Sequence, residues 1–391
     1  MEQVKFIPLS VPNFSGREKE YVNDAVVSEW VSTGGSKVAG FEQAIADFVG
    51  MPTAVACNSG TSGLHLAMLA AGVQPHDLVL APTLTFIAAV NPIRYCFADP
   101  VFIGCDDSLG MDPAAVRTFC ENECEMRGEH LYHKASGRRV SAMSIVHVFG
   151  NLADMENLMP VARQYNIAVV EDATEALGSY YTEGVYAGKF AGTIGDVGVY
   201  SFNGNKIMTT GSGGMVVTNH PDWAVHMKHL STQAKSSPDS YTHDEVGYNY
   251  RLTNLQAALG LAQIEQLDGF IAHKEALYNF YFERLDGKNG LRILGWRPGT
   301  RPNRWFFSVD MKDSAVSRDD LIRILAANKI QSRSIWDLIH EQAPYHGSLT
   351  AGIEKAVDYQ NRIVNIPCST NLSFEDAARV VEVILNATKA N

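Results

Sequence analysis

Lys206 lies in the segment 198–215, GVYSFNGNKIMTTGSGGM, where an apolar run leads into a glycine-rich loop holding a single lysine. Its neighbours are apolar or uncharged, and an amine kept from water favours the neutral form that attacks a carbonyl to give a Schiff base. Most lysines are solvated surface charges, so this one needs company to be read as chemistry. Ser201, five positions earlier at the end of the apolar run, can bond an anion held near the lysine. The segment 168–172, AVVED, ends a second apolar run on two carboxylates, and a carboxylate buried there is costly unless a cation meets it. A protonated pyridine nitrogen is such a cation, and Asp172 beside it would keep the ring an electron sink. Glu175 is placed to reach a ring hydroxyl, while the plainer alternative for Asp172 is a strand-end residue capping the next segment. The segment 57–68, CNSGTSGLHLAM, reads as strand, turn and helix, with Gly60 allowing close approach and the N–H groups of Thr61 and Ser62 pointing at an anion. Its plainer alternative is an ordinary N-cap by Ser59 or Thr61. It carries neither the P-loop lysine nor the dinucleotide glycine fingerprint. The order of phosphate turn, strand-end Asp and lysine loop, with Asp172 and Lys206 separated by 34 positions, ties the three together.

The elements that must position these residues alternate between positions 52 and 218. Strands are expected over Ala54–Cys57, Leu78–Ala81, Val101–Ile103, Met143–Val148, Ala168–Asp172, Val197–Phe202 and Gly214–Thr218. Several are continuously apolar, as suits buried and mainly parallel strands in an α/β sheet covered on both faces. Helical spacing covers Thr61–Ala71, Met155–Tyr165 and Thr253–Leu267, the last with Leu255, Leu259, Ala262 and Leu267 as a buried stripe. The charged stretch Glu121–Arg139 is expected as a surface helix or loop. Beyond about Phe270 the pattern becomes helix, a strand-like Trp305–Met311, helix Arg318–Asn328 and a last helix from Phe374, a smaller α+β unit.

The 391 residues suffice for two cores of unequal size. A formal charge of −11 opposes nucleic acid as a partner, because phosphate backbones are held by clustered Lys and Arg. Residues 1–13 lack the apolar core of a signal peptide. No apolar run reaches the roughly 18 residues that span a bilayer, so no membrane partner and a cytoplasmic location are expected. Six cysteines from Cys57 to Cys368 follow no zinc spacing, and reduced thiols with no metal are expected.

Segments Trp30–Gly34 with Phe41 and Glu42, Ser59–Ser62, Pro82–Phe86, Glu171–Glu175, Ser201–Lys206, Gly247–Asn254 and Asn365–Cys368 resemble the DegT-type sugar aminotransferases. That family consists of fold type I pyridoxal phosphate enzymes, and the resemblance runs over nearly the full chain. It implies a large domain, 14–269, with a mainly parallel seven-stranded sheet, and a small C-terminal α+β domain, 270–391, on which residues 1–13 pack. By the same resemblance, Lys206 forms the covalent link to pyridoxal phosphate and Asp172 pairs with the ring nitrogen. Phe86 stacks on the ring, Thr61, Ser62 and Ser201 hold the phosphate, and Glu175 lies beside the ring oxygen. Asn249 reaches the phosphate of the neighbouring subunit's cofactor, which implies a homodimer with shared active sites. Arg251 and Arg333 fit substrate phosphates or donor carboxylates, with structural ion pairing the equal alternative, and His340 is a further substrate contact. His147 reads as a satisfied core histidine.

The implied activity moves an amino group from L-glutamate to the C4 ketone of a nucleotide-linked 4-keto-6-deoxy sugar. Two departures stand out: Asn203 where many members have His, and the run Asp337-Leu-Ile-His340 in place of Pro-Leu-His. Asn203 and the segment Leu230–Lys235 most resemble the branch acting on UDP-linked 4-keto-6-deoxy-N-acetylhexosamines, as in bacillosamine and legionaminic acid pathways of polysaccharide biosynthesis. A dehydratase of the same family carries histidine in place of the lysine, which Lys206 opposes. A non-catalytic cofactor-binding regulator is the remaining alternative.

Overall fold

The computed structural model describes residues 4–237, 239 and 241–389, so Met1, Glu2 and Gln3 of the N-terminal segment and the last two residues lie outside it. The main sheet has ten strands: β1 (Ala54–Cys57), β2 (Leu78–Pro82), β3 (Asp99–Ile103), β4 (Cys124–Arg127), β5 (His130–His133), β6 (Arg139–Val146), β7 (Ala168–Asp172), β8 (Val197–Ser201), β9 (Gly214–Thr218) and β10 (Leu349–Ala351). Their order is β1-β9-β8-β7-β6-β2-β3-β10, and the β4–β5 hairpin joins through β6. Strands β10, β3, β2, β6, β7 and β8 run parallel, and β9 is antiparallel to both β8 and β1. The seven strands expected from apolar runs are the contiguous part of this mixed α/β sheet, which has the fold type I architecture. Their interior residues are buried.

Three expectations are corrected. Within the stretch Glu121–Arg139, Glu121–Glu123 end a helix and 134–138 are loop, but 124–133 form a hairpin, whose inward residues Cys124, Leu131 and His133 alternate too irregularly with the exposed Glu125, Met126 and Arg127 to mark a strand. The sheet exceeds seven strands because that hairpin and β10 extend it. The helix Asn254–Ile264 buries Asn254, Ala257, Ala258, Gly260, Ala262 and Gln263, whereas Leu255 and Leu259 are only half-buried. Small residues face inward because the Phe41 ring lies directly on this helix, where a Cβ on Gly260 would come within 2.6 Å of it. Leu267 is buried but opens the next helix, Leu267–Leu285.

A four-stranded antiparallel sheet is ordered Arg292–Ile293, Phe307–Asp310, Ile363–Ile366, Arg333–Ser334. The N-terminal segment stitches onto it. Ile7 N–H donates to Lys329 O at 2.9 Å, Gln331 N–H to Ile7 O at 2.8 Å, and Cys368 N–H to Leu9 O at 2.8 Å. All six cysteines are buried and free. Among the described residues, no helix is long and apolar enough to cross a membrane.

Candidate active site

The C-terminal ends of the parallel strands open onto a cavity of about 510 Å³. The helix Gly60–Ala70, here α1, starts at its wall. Ser59 caps α1, its Oγ accepting from Ser62 N–H at 3.1 Å, so one of the orphan donors of the first turn is already used. The Ser62 hydroxyl donates to Asn58 Oδ1 at 2.6 Å and Ser62 lies off the cavity wall, while Ser59, Gly60 and Thr61 line it. Ser201 at the end of β8 lines it as well, and α1 comes close enough to Ser201 that a Cβ on Gly60 would meet Ser201 Cβ at 2.9 Å and Thr174 Cγ2 at 3.0 Å.

Asp172 ends β7 only 2% exposed, and its Oδ1 accepts from Thr174 N–H at 3.0 Å. Burial raises its pKa, against the weaker pulls of Thr174, Lys206 and His147, and it forms no salt bridge among the described residues. The neighbouring Glu171 is buried differently. It accepts backbone N–H groups of Gly192 at 2.9 Å, Ile194 at 2.6 Å and Gly195, and pairs with His147 Nε2 at 2.8 Å. His147 Nδ1 accepts from Ala153 N–H at 3.1 Å, which leaves Nε2 as the donor to Glu171. His147 is thus satisfied within the core.

Lys206 projects into the cavity with a side chain 12% exposed, its Nζ 3.6 Å from Glu175 Oε1 and 4.0 Å from the centroid of the Trp305 ring. Burial pushes the Glu175 carboxyl up to about 7, against the opposing pull of Lys206 and of the Phe149 N–H, which donates to Oε2 at 2.8 Å. Phe86 and Arg333 line the cavity, both solvent-exposed. Besides Ser62, three expected residues do not line it. His340 Nδ1 bonds Thr83 Oγ1 at 2.6 Å behind the wall, and burial lowers its pKa. Asn249 is exposed, and its carbonyl accepts from Asn58 Nδ2 at 3.2 Å. Arg251 reaches Asn249 Oδ1 at 3.5 Å, and its Nε is buried without a partner among the described residues.

Sequence reasoning missed Trp305, Trp336, Asn205 and Gln331, which also form the wall. Trp305 opens an apolar run and reads as core. Nothing in its spacing marks the ring as facing a lysine a hundred positions earlier.

The arrangement fits pyridoxal phosphate. A buried carboxylate in no salt bridge among the described residues suits a pyridinium nitrogen, a helix start with Ser201 beside it suits a phosphate, and one amine faces the space between them. A model of the DegT/DnrJ/EryC1/StrS aminotransferase family matches residues 12–385. The GDP-perosamine synthase of Caulobacter vibrioides is 34% identical over 394 residues, covering 98% of this chain and 99% of its own. The structure of DesI with its TDP-sugar product superposes with a TM-score of 0.86 at 26% identity, covering 98% of this chain and 93% of that one. A putative sugar aminotransferase of Streptococcus pneumoniae, solved in its PLP form, shares the fold with a TM-score of 0.85 at 22% identity, covering 98% and 99%. These names carry GDP- and TDP-linked sugars, not the UDP-linked branch expected from Asn203 and the 230–235 segment. Its fold, its site and a family match over nearly its whole length agree: the chain belongs to the DegT/DnrJ/EryC1/StrS aminotransferase family, and its cofactor is pyridoxal phosphate.

Proposed function

We propose that this protein transfers an amino group from L-glutamate to the C4 ketone of a nucleotide-linked 4-keto-6-deoxy sugar. The observation that carries the reading is the convergence of the Lys206 amine, the unpaired Asp172 carboxylate and the start of α1 on one cavity. When bound, pyridoxal phosphate supplies an electron sink for the pair left by a breaking C–H bond. Thr61 and Ser201 would hold its phosphate, Asp172 its ring nitrogen, Phe86 its face and Glu175 the ring oxygen side. With the group bound, the Lys206 amine would be placed to take up and give back the proton that moves in each half of the exchange. Asp172 lowers the cost of both transfers by holding a positive charge against the ring. Trp305, Phe306 and Trp336 wall off water on one side. An intact lysine opposes the dehydratase alternative, and turnover would exclude a regulator.

Arg333, exposed at the cavity rim, is assigned to the sugar's phosphates or the donor's carboxylate. Asn249 and Arg251, outside this chain's own cavity, are assigned to the site of a second copy in a homodimer. A division into 14–269 and 270–391 rests on the separate four-stranded sheet, although β10 of the second part joins the first part's sheet.

The nucleotide divides two readings. Asn203 and Leu230–Lys235 resemble the UDP-linked branch, whereas a relative 34% identical is a GDP-perosamine synthase. The test is incubation with glutamate and a panel of UDP-, GDP- and dTDP-linked 4-keto sugars, read by mass spectrometry. Amino-sugar formation with one nucleotide above the others is expected, and silence across the panel would sink the proposal.

A further inference from the structure

We infer that Trp305 is a positioning residue that, with Glu175, forms a cage for the Lys206 ammonium in the cofactor-free and pyridoxamine-bound states. The inference rests on Lys206 being the linking lysine.

The cage is a closed circuit. Lys206 Nζ stands 4.0 Å from the Trp305 ring centroid and 3.6 Å from Glu175 Oε1. Glu175 Oε2 accepts from Phe149 N–H at 2.8 Å, and Phe149 O accepts from Trp305 N–H at 3.0 Å, so the chain returns to the ring that faces the amine. Asn303, fully buried, braces it: Nδ2 donates to Glu175 O at 2.9 Å and Oδ1 accepts from Trp305 N–H at 3.0 Å. The indole Nε1–H donates to Asn205 O at 2.7 Å, a carbonyl that also accepts from the Ser10 hydroxyl at 3.2 Å. One side chain therefore does two things, fixing the lysine loop through its N–H and meeting the amine with its face. An indole face attracts an ammonium and not an amine, and Trp305 is only 4% exposed, so little water competes.

The two roles part experimentally. In linking, the ammonium gives one proton to solvent, its nitrogen forms a double bond to the aldehyde carbon of pyridoxal phosphate, and the two hydrogens left on that nitrogen leave with the aldehyde oxygen as water. The caged cation is consumed. Pyridoxamine phosphate has no aldehyde and leaves the ammonium in the cage. Losing the ring face therefore destabilises the cofactor-free and pyridoxamine-bound states alike and spares the linked one.

The experiment measures the dissociation constants of pyridoxal phosphate and pyridoxamine phosphate for the cofactor-free full chain, with the visible absorbance of the linked cofactor as the first readout. In W305M the pyridoxal-to-pyridoxamine ratio of constants falls about three- to tenfold, the range a shielded cation–π contact supports. In W305F, which keeps a weaker face and loses the N–H, the ratio lies between W305M and the parent. An unchanged or raised ratio in W305M overturns the cage, as does equal weakening of both ligands, the mark of mere support for the loop. Fluorinated tryptophans at position 305 keep the shape and drain the face, so the ratio falls with each added fluorine, and a flat series overturns the inference even if W305M fails to fold. K206A tests the underlying reading separately, since a linked-cofactor band persisting there refutes the lysine assignment whatever Trp305 does.

Discussion

Glu175 and Asp172 are two buried carboxylates at one cavity, and their surroundings set them different tasks. Asp172 is bonded by Thr174 but forms no salt bridge among the described residues, a condition that a charged ring nitrogen relieves. Glu175 already faces an amine, and burial still holds its pKa near 7 against an ordinary 4.5. The folded chain thus binds the Glu175 proton more tightly than the unfolded chain does. That stability is present below about pH 4.5 and is lost as pH rises through about 7. In cofactor-free protein, E175Q stays neutral throughout, so its Tm relative to the parent climbs across that window and levels off above it. A Tm difference independent of pH would show that Glu175 ionises as freely folded as unfolded. At this scale the sequence was informative where chemistry demanded a residue type. Asp172, Lys206, Thr61 and Ser201 were legible, because a strand-end acid, a lone lysine among glycines and a small-residue turn each violate the default for their setting. Trp305 was not, since an aromatic at the head of an apolar run obeys that default.

Among the elements, strands were read more faithfully than helix faces. A buried parallel strand is apolar on both sides, and its run of Val, Ile and Ala survives any error of register. The helix Asn254–Ile264 inverted its expected face because close packing under Phe41 selects small residues, and hydrophobicity ranks Leu255 above Gly260 while geometry ranks them the other way. The hairpin β4–β5 escaped notice because one of its faces is charged and open to water. α1 shows what close approach accomplishes. Gly60 lets its first turn sit against Ser201, so that Thr61 and Ser201 line the same cavity wall. G60A places a methyl 2.9 Å from Ser201 Cβ and 3.0 Å from Thr174 Cγ2 and must push α1 away. The expected cost is about 1–3 kcal/mol of stability, as for other overpacked sites, together with a weaker hold on pyridoxal phosphate. Equilibrium dialysis and urea unfolding measure both, and a fully stable G60A with unchanged affinity would show that the turn does not depend on this contact.

For the whole molecule, the assignment of Asn249 and Arg251 to a second copy's site makes a quantitative statement about mixtures. K206A and N249A chains are each defective when alone. If sites are shared, a mixed dimer places both lesions in one site and leaves the other intact. Mixing the two inactive proteins after mild dissociation is then expected to restore turnover to roughly a quarter of the parent value, half of one site per random pair. No recovery in mixtures shown to be dimeric would return both residues to their own chain. The expectation of a homodimer came from the sequence only through resemblance. The long-range stitching of the N-terminal segment to residues 329–331 and 368 had no local signal, because a single extended strip carries no periodicity.

Strand β10 has a bearing on how the chain is made. It pairs in parallel with β3, Leu349 against Val101 and Ala351 against Ile103, and Gly104 N–H donates to Ala351 O at 3.0 Å. The sheet's outer edge is therefore closed by residues that leave the ribosome long after the rest of it. Synthesis proceeds from the N-terminus and early regions can collapse before late ones exist. During that interval β3 presents a free row of backbone donors and acceptors, the kind of edge that recruits other chains. Until Leu349–Ala351 have been made, the sheet therefore keeps an open edge at β3.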